Sequence, residues 1–399
     1  MNFSIGKIFK GDKVLWIVLI FLSLISLLIV YSATGKLAYK VAGGNTGYYL
    51  FRQLVFIGLG IGLMIFLVNV VPVKIYSIFA NLMVGVTFVA LIAAFVQYKI
   101  DGSKETSRTL TFWMISFQPS ELAKISLVMY ASKMLSKYQK TKEELRHAFF
   151  WVTGVSAVIC GIIFIGNIST SALIFGSIMC MLFVARVPLK YFFMLLAIII
   201  SLAVTIYFAA DFLPESFGRV HTFKERIDDF IYGDDNSKEG TTQADFAKLA
   251  IYEGGLMGKG PGNSEVSNYM EAGYNDFIYS IIIEEYGFVG GIFVLFLYLI
   301  FFYRGVVIVR KSDRTFPAFL VTGLVLVLVF QAFINMAVSS GVVPVTGQPL
   351  PWISLGGTSM LFTAVAFGAI LTVSYHNNKQ KEAEEQLVTI DTPDEDQAL

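Results

Sequence analysis

Four places in the 399-residue chain set ionisable or amide side chains into apolar sequence, where each could do chemistry. Gln118-Pro119-Ser120-Glu121 opens an apolar run that continues through Lys124, and the i,i+3 spacing puts Glu121 and Lys124 on one helix face. A lysine there suits an anionic headgroup such as a pyrophosphate, with Glu121 orienting it; an ion pair that only makes the run tolerable in lipid is the other reading. Asp276 stands where a long polar segment meets an apolar run, so its carboxylate reaches both water and a cavity between helices. That position suits a general base, and equally a favourable partner for a helix dipole. Glu284 and Glu285 follow about 12 to 14 Å deeper by helical rise, and two adjacent acids there hold a bundle together rather than face lipid.

Gln331 and Asn335 form an i,i+4 pair on a further apolar run, followed by the irregular stretch Pro344-Val345-Thr346-Gly347-Gln348-Pro349-Leu350-Pro351. Non-helical backbone at membrane depth is tolerated where it lines a cavity, so this stretch reads as re-entrant or cavity-forming. Arg219 and Arg226, with Lys224 between them, offer forks that match phosphate oxygens, or a solvated charge run in a wet loop. His147, His221 and His376 are scattered, which argues against a zinc set. Gly254-Gly255-Leu256-Met257-Gly258-Lys259-Gly260 matches neither a dinucleotide fingerprint nor a P-loop. Nothing in the sequence calls for a nucleotide or a haem.

The elements that must hold these residues are membrane spans. Hydrophobic residues make up 56% of the chain, charged residues 15%, and mean hydropathy is +0.68, more apolar side chain than a soluble core of this length buries. Apolar runs of helix-spanning length recur at 14–33, 51–71, 75–97, 118–136, 148–166, 168–187, 189–210, 277–303, 316–341 and 351–375, predicting an all-α polytopic protein of ten spans. The first run lacks a small-residue cleavage site and reads as an uncleaved span. Cys160 and Cys180 fall inside apolar runs as packing residues. A net charge of +1 argues against a nucleic-acid partner.

Lys and Arg set the orientation. Lys7, Lys10, Lys13, Lys74, the 133–147 loop, Arg186, Lys190 and the 304–314 loop share one side, which the positive-inside bias makes cytoplasmic, with both termini on it. The opposite side carries Lys36, Lys40, Lys99, Lys104 and Arg108 in its short loops, and a long loop at about 211–275. Within that loop 244–257 predicts a short helix, lying in the membrane interface or packed as an ordinary loop helix. Residues 376–399 carry few apolar side chains and predict a disordered cytoplasmic tail after a 14–375 membrane domain and a 1–13 N-terminal segment.

Three motifs in order resemble the SEDS family of peptidoglycan polymerases, over nearly the whole chain. They are Gln118-Pro119-Ser120-Glu121-Leu122-Ala123-Lys124, Asp276-Phe277-Ile278 leading to Glu284-Glu285-Tyr286-Gly287-Phe288, and Pro344-Val345-Thr346-Gly347 with Leu355-Gly356-Gly357-Thr358-Ser359. The resemblance implies Asp276 as the catalytic residue. It places Glu121, Lys124 and Arg108 in one substrate cavity, with Pro344, Gly347, Gly356 and Gly357 in support. It implies glycan growth from lipid II on the outer face of a bacterial inner membrane, with inversion at the anomeric carbon. A divalent cation (Mg²⁺ or Mn²⁺), with Asp276 as a candidate ligand, and a class B penicillin-binding protein with other division proteins as partners accompany that expectation. The chain departs from the family pattern at Thr109, at Gly166-Asn167-Ile168-Ser169-Thr170 and at Trp352. The segment Phe9-Lys10-Gly11-Asp12-Lys13 and the compact length favour the division branch, hence a septal location, over the elongation branch. A lipid II flippase and a non-catalytic division scaffold are the rival readings.

Overall fold

The computed structural model describes residues 8–41, 45–101, 109–112, 115–210, 224, 243–270 and 273–391. Its helices are α1 Lys13–Ala33, α2 Gly35–Val41, α3 Thr46–Val70, α4 Val73–Asp101, α5 Pro119–Lys137, α6 Lys142–Gly166, α7 Ile168–Val184, α8 Leu189–Ala209, α9 Gln243–Gly254, α10 Ile278–Arg310, α11 Thr315–Ser339 and α12 Thr358–Asp391. Eight of them, α1, α3, α4, α6, α8, α10, α11 and α12, are long and apolar enough to cross a membrane. Helix α7 is apolar but shorter, and α5 carries Glu121, Lys124, Lys133 and Lys137.

Local chemistry sets several of the starts. Asp12 caps α1 by accepting from the Val14 and Leu15 amides at 2.9 and 3.1 Å, and its carboxylate also holds Arg304 of α10. Thr141 caps α6 by accepting from the Glu144 amide, and the Glu144 carboxylate accepts from the Lys140 amide just ahead of the helix. Proline at the first position of α5 lacks only an N–H that would have no helical partner. Helix α11 is a deeply enclosed strut, packing on α5, α7, α10 and α12.

Helix α10 is broken at Gly287, whose φ of +69° and ψ of −175° lie outside the helical region. The groups freed by the break pair with the 255–260 turn: the Lys259 and Gly260 amides donate to the Glu284 and Glu285 carbonyls at 2.9 Å. The Phe288 and Val289 amides donate to the Gly255 and Leu256 carbonyls at 2.8 and 3.3 Å. A Cβ on residue 287 would drive into the Leu256 carbonyl, so only glycine permits the splice.

The all-α class holds, with one small addition: Leu110–Phe112 pairs antiparallel with Ile115–Phe117 ahead of α5, as the β-branched and aromatic alternation there permits. Two expectations need correction. The last span begins at Thr358 rather than at 351, because Pro349, Pro351 and the left-handed backbone of Trp352 (φ 68°) hold 351–357 in turns. Residues 376–391 continue α12 instead of forming a disordered tail, since the Lys-Gln-Lys-Glu-Ala-Glu-Glu-Gln run is built of strong helix formers.

Candidate functional site

The start of α5 and the end of α11 meet through a buried charge. Lys124 donates to Glu121 at 2.8 Å and to the Gln331 side-chain carbonyl of α11 at 2.7 Å, and both Lys124 and Glu121 are buried. An ammonium has three protons, so one remains for a ligand. Gln331 passes the contact on, its amide donating to the Pro349 carbonyl at 2.8 Å. One helical turn further, Asn335 donates to the Gln348 carbonyl at 2.8 Å and to the Asp276 carbonyl at 2.9 Å. Gln348 in turn donates to Thr170 at the start of α7, at 2.7 Å.

Asp276 is half-buried in the turn that precedes α10. Its neighbours are fixed from the other side: Ser354 donates to the Asn275 carbonyl at 2.8 Å, and the Leu355 amide to the Tyr274 carbonyl at 3.2 Å. Gly347, at φ +64°, passes close enough to the Asp276 carboxylate that a Cβ there would lie 3.5 Å from Oδ2. Asn275 Oδ1, Asn335 Oδ1 and Thr346 Oγ1 are buried with no hydrogen-bond partner among the described residues, leaving acceptor capacity beside the carboxylate.

Glu121, Lys124, Gln331, Asn335, Asp276 and Gly347 are thus one connected cluster. Arg108, Arg219 and Arg226 lie outside the described residues. Glu284 is committed elsewhere: it accepts from Ser264 and, at 3.0 and 3.2 Å, from the Glu265 and Val266 amides, with Lys259 3.4 Å away. Lys259 also bonds Glu253, and that carboxylate raises the lysine above its ordinary range. Glu285 accepts from Ser32 of α1. Gly356 and Gly357 sit beside α3, where the Gly356 amide donates to Gln53 at 2.9 Å and Gly357 lies close to Arg52. Helix α9 buries Ala247, Ala250 and Gly254 against α10 and leaves Lys248, Leu249, Tyr252 and Glu253 exposed, so it is a packed helix with a mixed outer face.

Sequence reading missed Gln53. It is fully buried, donates to Ser26 at 2.6 Å, and with Ser354 and Leu355 fastens the segment behind Asp276. An uncharged polar side chain at position 53 of an otherwise apolar helix face was the available signal. Gln53→Leu strands the Gly356 N–H, so we expect a loss of about 1–3 kcal/mol. Thermal unfolding in detergent beside Gln53→Glu, which keeps the acceptor, checks this; equal stability of Gln53→Leu and wild type would remove the role.

No group of three or more His, Cys, Asp or Glu side chains able to hold a metal exists among the described residues. A lone Asp276 fits the way Mg²⁺ is held by one carboxylate together with substrate phosphates.

Apolar helices of spanning length, a basic and a weakly charged end, and a polar cluster buried at the latter define a multi-pass membrane protein. A family model described as cell cycle protein, which spans FtsW, RodA and SpoVE, matches residues 12–379, and the chain belongs to that family, the SEDS family of its motifs. It is 29% identical over 371 residues to stage V sporulation protein E of Bacillus subtilis, covering 92% of this chain and 97% of that one. It is 30% identical over 373 residues to the probable peptidoglycan glycosyltransferase FtsW of Saccharophagus degradans, covering 90% and 92%. The fold matches a chain of a peptidoglycan synthase complex, described for its coordination of polymerization and crosslinking, with a TM-score of 0.71 at 21% identity over 92% of this chain and 98% of that one. It also matches the rod shape determining protein RodA of Thermus thermophilus, with a TM-score of 0.63 at 20% identity over 92% and 98%.

Proposed function

We propose that the chain is a peptidoglycan glycosyltransferase that polymerises lipid II on the outer face of the cytoplasmic membrane, with both termini inside. The observation that carries this is the hydrogen-bonded path from Lys124 through Gln331, Pro349, Gln348 and Asn335 to Asp276, which holds a cation and a carboxylate in one cluster. Asp276 accepts the proton of the acceptor sugar's 4-hydroxyl as that oxygen bonds to the donor's anomeric carbon. The bond from that carbon to the lipid pyrophosphate breaks, and the leaving oxygen keeps the electron pair. Lys124, with its remaining proton, stabilises the charge that develops there. A divalent cation, where required, would be held by Asp276 and by the substrate's own phosphate oxygens.

The relatives named for glycan transfer, and the synthase complex named for polymerization and crosslinking, support this reading and a class B penicillin-binding protein as partner. Polymerisation of labelled lipid II by the purified protein with that partner, its transpeptidase blocked by a β-lactam, tests the activity. Transport of lipid II without glycan product would favour a flippase instead. The septal role rests on relatives named FtsW. A fluorescently tagged chain is expected to concentrate at the division site, and persistent sidewall signal without septal enrichment would assign it to elongation.

A further inference from the structure

A large cavity lies at the opposite, basic end of the bundle. Helix α11 separates it from the cluster at Asp276: twenty residues, about 30 Å by helical rise, lie between Thr315 at its rim and Asn335. Its volume is about 560 Å³, and four elements border this open cleft: the α3–α4 turn, the end of α5, the α11 start and α12. Lys74, Arg314 and His376 line it, with Asp313 as the one carboxylate. None of the four forms an ion pair with a described residue.

The placement of the cations is electrostatically unfavourable as it stands. Lys74 is the second residue of α4, Arg314 is the N-cap of α11, and neither helix has an acid in its first turn. A cation at the positive end of a helix dipole is repelled by it; Asp313, one residue ahead of the α11 N-cap, offsets part of that field, and the balance of two cations and two helix ends against one carboxylate still favours an anion. The remaining lining mixes hydroxyls, from Ser77, Ser136 and Thr315, with apolar Pro72, Val73, Phe316 and Pro317. Val70, Ile75 and Ile78 beside it are exposed apolar side chains on lipid-facing helices, so the cavity opens where a headgroup meets hydrocarbon.

We infer that this cavity binds the headgroup phosphate of an anionic phospholipid, with Lys74 and Arg314 as its principal contacts. The volume accommodates a phosphate with its glycerol, the two cations and helix ends neutralise the phosphate, and the apolar rim takes the first methylenes of the acyl chains. Basic pockets between spanning helices on the positively charged face recognise lipids in this way. The inference is independent of the reaction at Asp276.

Native mass spectrometry of the full chain in detergent tests it, titrating phosphatidylglycerol, phosphatidylcholine of the same acyl chains, and inorganic phosphate. The variants are Lys74→Gln with Arg314→Gln, and Lys142→Gln, an exposed cation on the same face outside the cavity. Wild type is expected to hold phosphatidylglycerol at least about tenfold more tightly than phosphatidylcholine. The double variant should lose that preference and Lys142→Gln should keep it. All of these positions are exposed, so the variants should fold, and a thermal unfolding curve confirms it. Equal retention of the two lipids, or equal loss in Lys142→Gln, would overturn the site. Displacement of the lipid by inorganic phosphate at matched concentration would overturn the lipid as its ligand.

Discussion

Asp276→Asn should leave the protein folded and bound to its partner while glycan polymerisation falls by about 10² to 10⁴-fold, the range that loss of a general base removes. The amide has nearly the shape of the carboxylate, and Asn335 fastens residue 276 through its main-chain carbonyl, which the variant keeps. The turn is held in addition through Asn275 and Tyr274, neither of which changes. What the variant loses is the capacity to take a proton from the acceptor hydroxyl. Single-turnover polymerisation from labelled lipid II, with fold checked by thermal unfolding, separates the two effects. Undiminished product would remove Asp276 from the chemistry and leave the cluster a structural one.

Lys124→Met carries the second large effect, and here stability and activity part company. Removing the ammonium leaves the Glu121 carboxylate buried without its cation and the Gln331 carbonyl without its donor, and breaking a buried pair in this way costs about 3–5 kcal/mol. Combining it with Glu121→Gln removes the stranded charge, so the double variant should recover most of the stability. It should not recover polymerisation, because the proton that would meet the departing pyrophosphate is still missing. Unfolding midpoints and polymerisation rates of the single and double variants check both halves. A double variant that polymerises like wild type would make the pair purely structural.

The spans were legible because hydrocarbon thickness sets their length: runs such as 14–33 and 316–341 differ from the helices Lys13–Ala33 and Thr315–Ser339 by at most two residues at either end. The pairing of Glu121 with Lys124 was legible because the helix repeat alone brings them together. Other features were not, because they depend on contacts distant in sequence. Nothing local says that Gln53 reaches Gly356 or that Gln348 reaches Thr170, and Thr170 belongs to a segment that departs from the family pattern. The delayed start of α12 turned on the left-handed Trp352, whose indole donates to Ser23 at 2.8 Å, a residue on the first span. The helix over 376–391 was missed for a different reason: low apolar content was weighed above the helix propensity of its charged residues.

Helix α8 draws a line between two kinds of inheritance in this chain. None of its residues is buried by the rest of the protein, whereas two-thirds of the apolar window of α11 is. Its first turns rest on the bundle, Phe192 against Phe149 and Phe183, but beyond Leu195 lipid tails do not distinguish Leu from Ile, Val or Phe, so a change among its exposed residues meets no neighbour that could reject it. In α11 a gain or loss of a methylene is felt by close-packed partners. Descendants of this sequence can therefore rewrite α8 beyond its first turns almost freely within an apolar alphabet while total hydropathy is kept, and α11 diverges one compensated exchange at a time.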